Sequence, residues 1–255
     1  MSDRTRPLLE VDRISKSFKG LLAVKDLSFS LNECEILGLI GPNGAGKTTA
    51  FNLIAGIYKP DDGEIRLAGE SVSGKRPHQI SRMGISRTFQ IVKPFSRMTV
   101  LENVLAGSLF GREHVFSIRS SRSSALDALD YVGLDGKEES LAGELTLAEQ
   151  RKLELARAIA AKPKLLMLDE IMAGLNQTEI AETLALLKRL NKESRVSLLV
   201  IEHVMAAIMQ LCERVVVMDH GEKLAEGTPS EVVNNLQVVE AYMGRSRPQP
   251  ENIKQ

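Results

Sequence analysis

Two hydrophobic periods alternate along this chain. "LLEVDRI" (residues 8 to 14) and "VKDLSFSL" (24 to 31) largely alternate apolar and polar residues, the spacing of strands with one face on a core and one in water. "EILGLI" (35 to 40) is an almost unbroken apolar run that stops at a glycine-rich loop, the mark of a strand buried on both faces. "TTAFNLIAGI" then takes helical spacing, and "GEIRLAG" (63 to 69) predicts a further strand between turn residues. From about residue 91 to 160 strand signals fade. "SSALDALDYVGL" and "AEQRKLELARAIAA" place apolar residues at i, i+3, i+4 and i+7, which predicts a helical insert.

Alternation of strand and helix returns with "KLLMLD" (164 to 169), "TEIAETLALLKRLNKE" (178 to 193), "VSLLVI" (196 to 201), "HVMAAIMQLC" and "RVVVMD" (214 to 219). Such alternation predicts an α/β fold: a parallel sheet wrapped by helices, with ligands at the carboxyl ends of its strands. The tail after about Ser246, "RPQPENIKQ", is polar and reads as loose.

Composition narrows the picture. With 255 residues, 43 % of them hydrophobic, the chain can bury one large domain or a core with an inserted subdomain. Lys plus Arg (33) equals Asp plus Glu (33), so no overall field draws it to nucleic acid or to an anionic bilayer, and no nucleic-acid partner is expected. Cys34 and Cys212 sit in apolar stretches without metal or redox spacing and read as reduced thiols. "MSDRTRPLLEVD" has no apolar h-region, and no window approaches the ~18 uncharged apolar residues of a spanning helix. The expectation is a cytosolic protein that reaches a membrane only from its surface.

Chemistry enters at "GPNGAGKTT" (41 to 49), which fits G-x-x-x-x-G-K-[ST] between a buried strand and a helix. Gly41, Pro42, Asn43, Gly44, Ala45, Gly46, Lys47, Thr48 and Thr49 are the predicted triphosphate cradle. Backbone N–H groups from Asn43 to Thr49 would converge on phosphate oxygens at the helix N-terminus. Lys47 would bridge the β- and γ-phosphates and the Thr48 hydroxyl would ligate Mg²⁺. "KLLMLDE" (164 to 170) ends a strand in two carboxylates, Asp169 to hold the magnesium and Glu170 to orient and deprotonate an attacking water.

Taken in order, these elements resemble the ATP-binding subunits of ABC transporters over nearly the whole chain: an aromatic at Phe18, "GPNGAGKTT", Gln90 in "SRTFQ", a signature stretch ending in "RKLELARAIA", "LLMLDE", a D-loop at "AGLN" (173 to 176), and His203 in "VIEHVM". Singly, Phe18 reads equally as hairpin core, Gln90 as a loop amide and His203 as a helix cap. The resemblance implies ATP and Mg²⁺ as cofactors, Phe18 stacked on adenine with Val24 beside it, and Gln90 reaching the magnesium and the lytic water. It also implies that His203 contacts the γ-phosphate and positions Glu170.

The family's Leu-Ser-Gly-Gly-Gln signature is altered here. "LAGEL" (141 to 145) is a decoy; counting back from "ARA" (156 to 158) puts the signature at Leu145, Thr146, Leu147, Ala148 and Glu149, without glycine. Thr-x-x-Glu is a capping box, so Thr146, Ala148 and Glu149 are expected to open a helix whose N–H groups face a nucleotide on a second subunit, with Ala148 in helical φ/ψ. Ile171 stands in place of the usual proline after the catalytic glutamate, and Asn176 in place of the D-loop aspartate.

The implied fold is a P-loop NTPase (RecA-like) core with a mainly parallel sheet, an N-terminal antiparallel β subdomain and an inserted α-helical subdomain. The implied parts are the β subdomain and first part of the core (1–90), the helical subdomain (91–160), the second part of the core (161–227) and C-terminal helices with the tail (228–255). Residues 85 to 107 and 221 to 244 look like the ATP-binding subunits of branched-chain amino-acid importers, a type that also serves urea and amides, which implies uptake of branched-chain amino acids or a related small polar solute. The implied partners are a second ATP-binding subunit, two transmembrane permease subunits and, indirectly, a solute-binding protein, at the cytoplasmic face of the membrane. The rivals are a soluble non-transport ABC ATPase and a nucleotide-regulated binding subunit. "REHVFSIRSSRSS" (112 to 124) reads as a solvated loop, with contact to membrane subunits or lipid headgroups as the sharper alternative.

Overall fold

The computed structural model describes residues 7–89, 93–112 and 118–243. The alternating segments form β1 (Leu9–Phe18) and β2 (Leu21–Leu31), paired antiparallel, and the apolar run forms β3 (Ile36–Ile40). The glycine loop leads into α1 (Lys47–Ile54), and β4 (Asp62–Leu67) and the short β5 (Glu70–Ser71) return to the first sheet, ordered β2-β1-β4-β5. Next come α2 (Pro77–Met83) and the three-residue strand β6 (Ile85–Arg87), two elements too short for the hydrophobic pattern to announce.

The helical insert contains α3 (Val100–Phe110), α4 (Ile118–Val132) and α5 (Leu147–Ala160), which contact one another pairwise. The chain then re-enters the second sheet through β7 (Leu165–Asp169), α6 (Gln177–Ser194), β8 (Ser197–Ile201), α7 (Met205–Leu211) and β9 (Arg214–Asp219). It turns back as β10 (Glu222–Gly227) and ends in α8 (Pro229–Val233) and α9 (Leu236–Met243). The second sheet runs β10-β9-β3-β8-β7-β6, parallel except for the antiparallel edge pair β9–β10.

The central strands β3, β7 and β8 are buried at every residue because both sheet faces are covered. Ile36 and Ile40 point to the core shared with the insert helices, while Leu37 and Leu39 point to the core shared with α1 and the first sheet. Each fully buried leucine or isoleucine contributes about 2 kcal/mol through removal from water. The phosphate-binding loop at the end of β3 is therefore anchored on its strand side by two cores.

Two sequence expectations change. The resemblance put Val24 beside a base, but β2 carries an extra residue between Leu27, opposite Ile14, and Val24, opposite Lys16. Asp26 sits at φ 44° in that bulge, the phase flips, and Val24 is fully buried while Ala23 is partly exposed. Within "REHVFSIRSSRSS", residues 118 to 124 are not a loop; they form the first turns of α4, where Ser121 is fully buried in line with Ala125, Ala128 and Leu129.

Four helices, α3, α5, α6 and α8, begin with a Thr or Asn whose side chain accepts the N–H three residues on, with a Glu there returning the bond. The helix α1 begins differently, at Gly46 with φ 98° and no side-chain cap.

Candidate nucleotide site

The loop from Gly41 to Thr49 wraps the N-terminus of α1. Gly41 has φ 150°, and a Cβ there would lie 2.1 Å from the Met218 carbonyl oxygen; a Cβ on Gly46 would lie 2.4 Å from that of Ala23. Both positions need glycine for conformation and for space. The loop is held from outside by the β9–β10 turn, where the Gly221 N–H donates to Ala45 O at 3.0 Å and Lys25 N–H donates to Gly221 O at 2.8 Å.

Asn43, Gly44, Ala45, Gly46, Lys47, Thr48 and Thr49 line one cavity of about 540 Å³ together with Glu170 and His203. Lys47 is buried, and its Nζ donates to Gly41 O at 2.7 Å and Pro42 O at 2.9 Å, so the ammonium sits within its own loop. Burial pushes its pKa down, while the carboxylates Glu170 and Asp169 pull it back up.

Glu170 follows β7 at φ 51°, a left-handed backbone held by its N–H donating to Ile201 O at 2.9 Å. Its Oε1 lies 2.8 Å from His203 Nε2, so the two residues from adjacent strand ends meet beside the phosphate loop. Neighbouring Asp169 points to the other face and is almost completely buried. Its N–H donates to Thr88 Oγ1 at 3.2 Å and its Oδ2 accepts from Arg87 Nη2 at 2.7 Å, while Oδ1 has no hydrogen-bond partner among the described residues. Burial raises the Asp169 pKa, opposed first by the Arg87 hydrogen bond.

Thr48 and Asp169 line a second cleft, of about 760 Å³, between the core and the insert. An uncommitted carboxylate oxygen and a hydroxyl are hard oxygen donors, and among the described residues no group of three His, Cys, Asp or Glu could form an all-protein cage. That donor set fits magnesium held jointly by protein and phosphate.

Val24 is corrected: it lies inside the core and cannot flank a base, and Ala23 lines the phosphate-loop cavity in its stead. Phe18, half-exposed at the end of β1, packs edge-on against Tyr58 with ring centroids 5.0 Å apart, and it is not among the residues lining that cavity. Gln90 lies outside the described residues. Thr146 caps α5, accepting from Glu149 N–H at 3.4 Å while Glu149 Oε2 accepts from Thr146 N–H at 2.9 Å. Ala148 is within the helix. None of the three lines the P-loop cavity of its own chain.

Several contacts near the site join residues that are distant in sequence. Leu147 is 46 % exposed, and a Cβ added at Gly174 would lie 3.0 Å from its Cδ2, so the signature loop and the D-loop approach each other within one chain. Asn176 caps α6, with Oδ1 accepting from Glu179 N–H at 3.0 Å. Glu202, buried beside the site, accepts from Met172 N–H at 2.8 Å, and burial raises its pKa. Arg87, in "SRTFQ", carried no local signal that it would meet Asp169 across the sheet.

Residues 24–173 match the family model described as ABC transporter, and residues 222–247 match one described as Branched-chain amino acid ATP-binding cassette transporter. A high-affinity branched-chain amino acid transport ATP-binding protein of Salmonella typhimurium is 42 % identical over 254 residues, 95 % of this chain and 100 % of the relative. A counterpart of the same description from Pseudomonas aeruginosa is 39 % identical over 257 residues, with the same coverage. The solved ADP conformation of an ATP-binding cassette of an ABC transporter superposes with a TM-score of 0.85 at 29 % identity, covering 94 % of this chain and 100 % of that one.

Proposed function

The chain belongs to the ATP-binding proteins of ABC transporters, and from that premise we propose that it powers uptake of branched-chain amino acids. Its activity is ATP hydrolysis coupled to transport. The observation that carries the mechanism is the meeting of Lys47, Thr48, Glu170 and His203 in one cavity, with Asp169 beside Thr48 in the next.

The triphosphate takes the uncapped N-terminus of α1, and Lys47 leaves the carbonyls of Gly41 and Pro42 for the β- and γ-phosphate oxygens. Thr48 Oγ1 and Asp169 Oδ1 would hold magnesium, which when bound would neutralise charge on the phosphate oxygens. Glu170 accepts a proton from water as the water oxygen bonds to the γ-phosphorus. The bond from that phosphorus to the bridging oxygen breaks, and ADP leaves with the electron pair. His203, bonded to Glu170, orients the base.

Two such subunits would face each other, the α5 N-terminus at Thr146, Leu147 and Ala148 meeting the partner's γ-phosphate through N–H groups. The D-loop, with Asn176 ordered as a cap, would lie at the same interface. The cleft between core and insert, with Phe89 and Phe110 53 % and 68 % exposed, offers an apolar seat for a transmembrane permease subunit. No described helix is long and apolar enough to cross a membrane. In this reading the subunit works at the cytoplasmic face, held by two permease subunits that receive solute from a binding protein.

The test is reconstitution with co-purified membrane subunits in vesicles and measurement of ATP hydrolysis and labelled leucine uptake. Glu170→Gln is expected to lower hydrolysis about 10²–10⁴-fold, the range for a general base, and to stop uptake while ATP still binds. Hydrolysis without uptake of any branched-chain amino acid would reject the solute; wild-type turnover in Glu170→Gln would reject the base.

A further inference from the structure

We propose that Arg87 is a positioning residue that ties the metal-holding carboxylate Asp169 to the signature helix α5, so that loading the first moves the second. The proposal rests on the reading of Asp169 as a magnesium ligand.

The guanidinium stands at a junction of three parts of the fold. Nη2 donates to Asp169 Oδ2 at 2.7 Å, at the end of β7, and Nη1 donates to Asn52 Oδ1 at 2.5 Å, on the phosphate-loop helix α1. The plane also lies over two rings, 5.6 Å from the centroid of Phe51 on α1 and 5.4 Å from that of Phe89. The Arg87 and Asp169 side chains are 9 % and 1 % exposed, so the pair acts with little solvent screening.

From Phe89 the path continues into α5. Phe89 N–H donates to Glu154 Oε1 at 2.6 Å, and Arg151 Nη1 donates to Phe89 O at 3.2 Å. Both partners are buried, 3.6 Å apart, on the helix whose first turn carries Thr146 and Ala148. Thr88, the one residue between Arg87 and Phe89, is itself fixed, its N–H donating to Met167 O at 2.9 Å and its Oγ1 accepting from Asp169 N–H. The route from carboxylate to helix runs along one wall of the cleft between core and insert, which Asp169, Arg87, Phe89 and Glu154 all line.

The arrangement sets the direction of the response. A divalent charge on Asp169 Oδ1 repels the guanidinium on Oδ2 and draws carboxylate charge away from it. The cation keeps its other contacts, the Phe51 and Phe89 faces and Asn52, and shifts its weight toward them. Phe89 moves with it, and its two backbone bonds carry the displacement to Glu154 and Arg151. A side chain that merely neutralised a buried Asp169 would need no contact with the segment that grips α5.

The test is deuterium uptake by the full-length chain in the peptide covering residues 146 to 154, with ADP plus EDTA and with ADP plus magnesium. ADP affinity is measured in parallel. In the wild type magnesium is expected to change uptake there by about threefold or more, the lower end of what coupled networks carry. Arg87→Met should lose that change while ADP affinity in EDTA stays within about twofold. Arg87→Lys, which keeps the charge without the planar fork, should restore part of it. Glu154→Leu leaves the Arg87–Asp169 pair in place but removes the acceptor of the Phe89 N–H, and it should also lose the change, which keeps the proposal testable if Arg87→Met does not fold. A magnesium response of wild-type size in either Arg87→Met or Glu154→Leu overturns the latch. So does a wild type whose ADP affinity rises with magnesium while α5 stays unchanged. If magnesium does not tighten ADP binding at all, the metal reading of Asp169 falls, and the latch with it.

Discussion

The phosphate loop and the signature loop are both helix N-termini, and they are built in opposite ways. At α1 the capping position is Gly46 at φ 98°, with no side chain to accept an N–H. At α5 it is Thr146 in extended backbone, accepting from Glu149 N–H and repaid by the Glu149 carboxylate, which also pairs with Lys137. The first leaves its donors for a ligand; the second satisfies part of its own need and keeps only the N–H groups of Leu147 and Ala148. A helix start that holds most of a triphosphate therefore cannot also be self-capped, whereas one that adds a contact from outside can be. The missing glycines of the signature follow from this difference, since nothing at α5 needs positive φ.

The largest test of that contrast is Gly46→Ala. Its Cβ would strike Ala23 O, and the strained backbone costs about 1–3 kcal/mol, so ATP affinity measured by calorimetry should fall about 10- to 100-fold. Unchanged affinity would mean that the cradle does not depend on this geometry. Thr146→Ala is smaller and of another kind: about 1 kcal/mol of stability in urea unfolding, with ATP affinity of the isolated chain unaltered because Thr146 does not line its own cavity. Weaker nucleotide binding by the single chain would break the assignment of the two loops to different nucleotides.

Ala148→Gly restores the family's residue, yet in an ordinary helical turn it should lower stability by about 0.5–1 kcal/mol. A stabilised variant would show that alanine is strained there. The smallest effect is electrostatic. The hydrogen bond from Lys137, then that from the Thr146 N–H, holds the Glu149 carboxyl below its ordinary value of 4.5. A depressed carboxylate adds stability that is present above its unfolded pKa and is lost as pH falls through the folded one. Acid unfolding of Glu149→Gln should lack that component, about half a kcal/mol or less with Lys137 partly in water. An identical acid profile would assign the cap to the hydroxyl alone.

Much of the scaffold was legible because it follows from short-range rules. Continuous apolar runs marked β3, β7 and β8, Thr-x-x-Glu marked the start of α5, and one glycine pattern between strand and helix marked the phosphate loop. What escaped depends on contacts distant in sequence. The bulge at Asp26 that turns Val24 inward is a matter of pairing between β1 and β2, and period-two counting assumes it away. Arg87 looks like any arginine near a strand end until β6 is laid beside β7, which buries it against Asp169. The first turns of α4 escaped because "RSSRSS" has no apolar residue to show a helical period, and packing of Ser121 and Ala125 fixes them.

The turn that braces the phosphate loop has a consequence in time. Gly221 and Ala45 join parts of the chain made far apart: at ~5–20 residues per second, roughly 10–30 s separate the emergence of the loop from that of its brace. During synthesis the loop leaves the ribosome unbraced, without the last strands of its sheet. The cradle is thus complete only once the β9–β10 turn, far downstream of the loop itself, has been made.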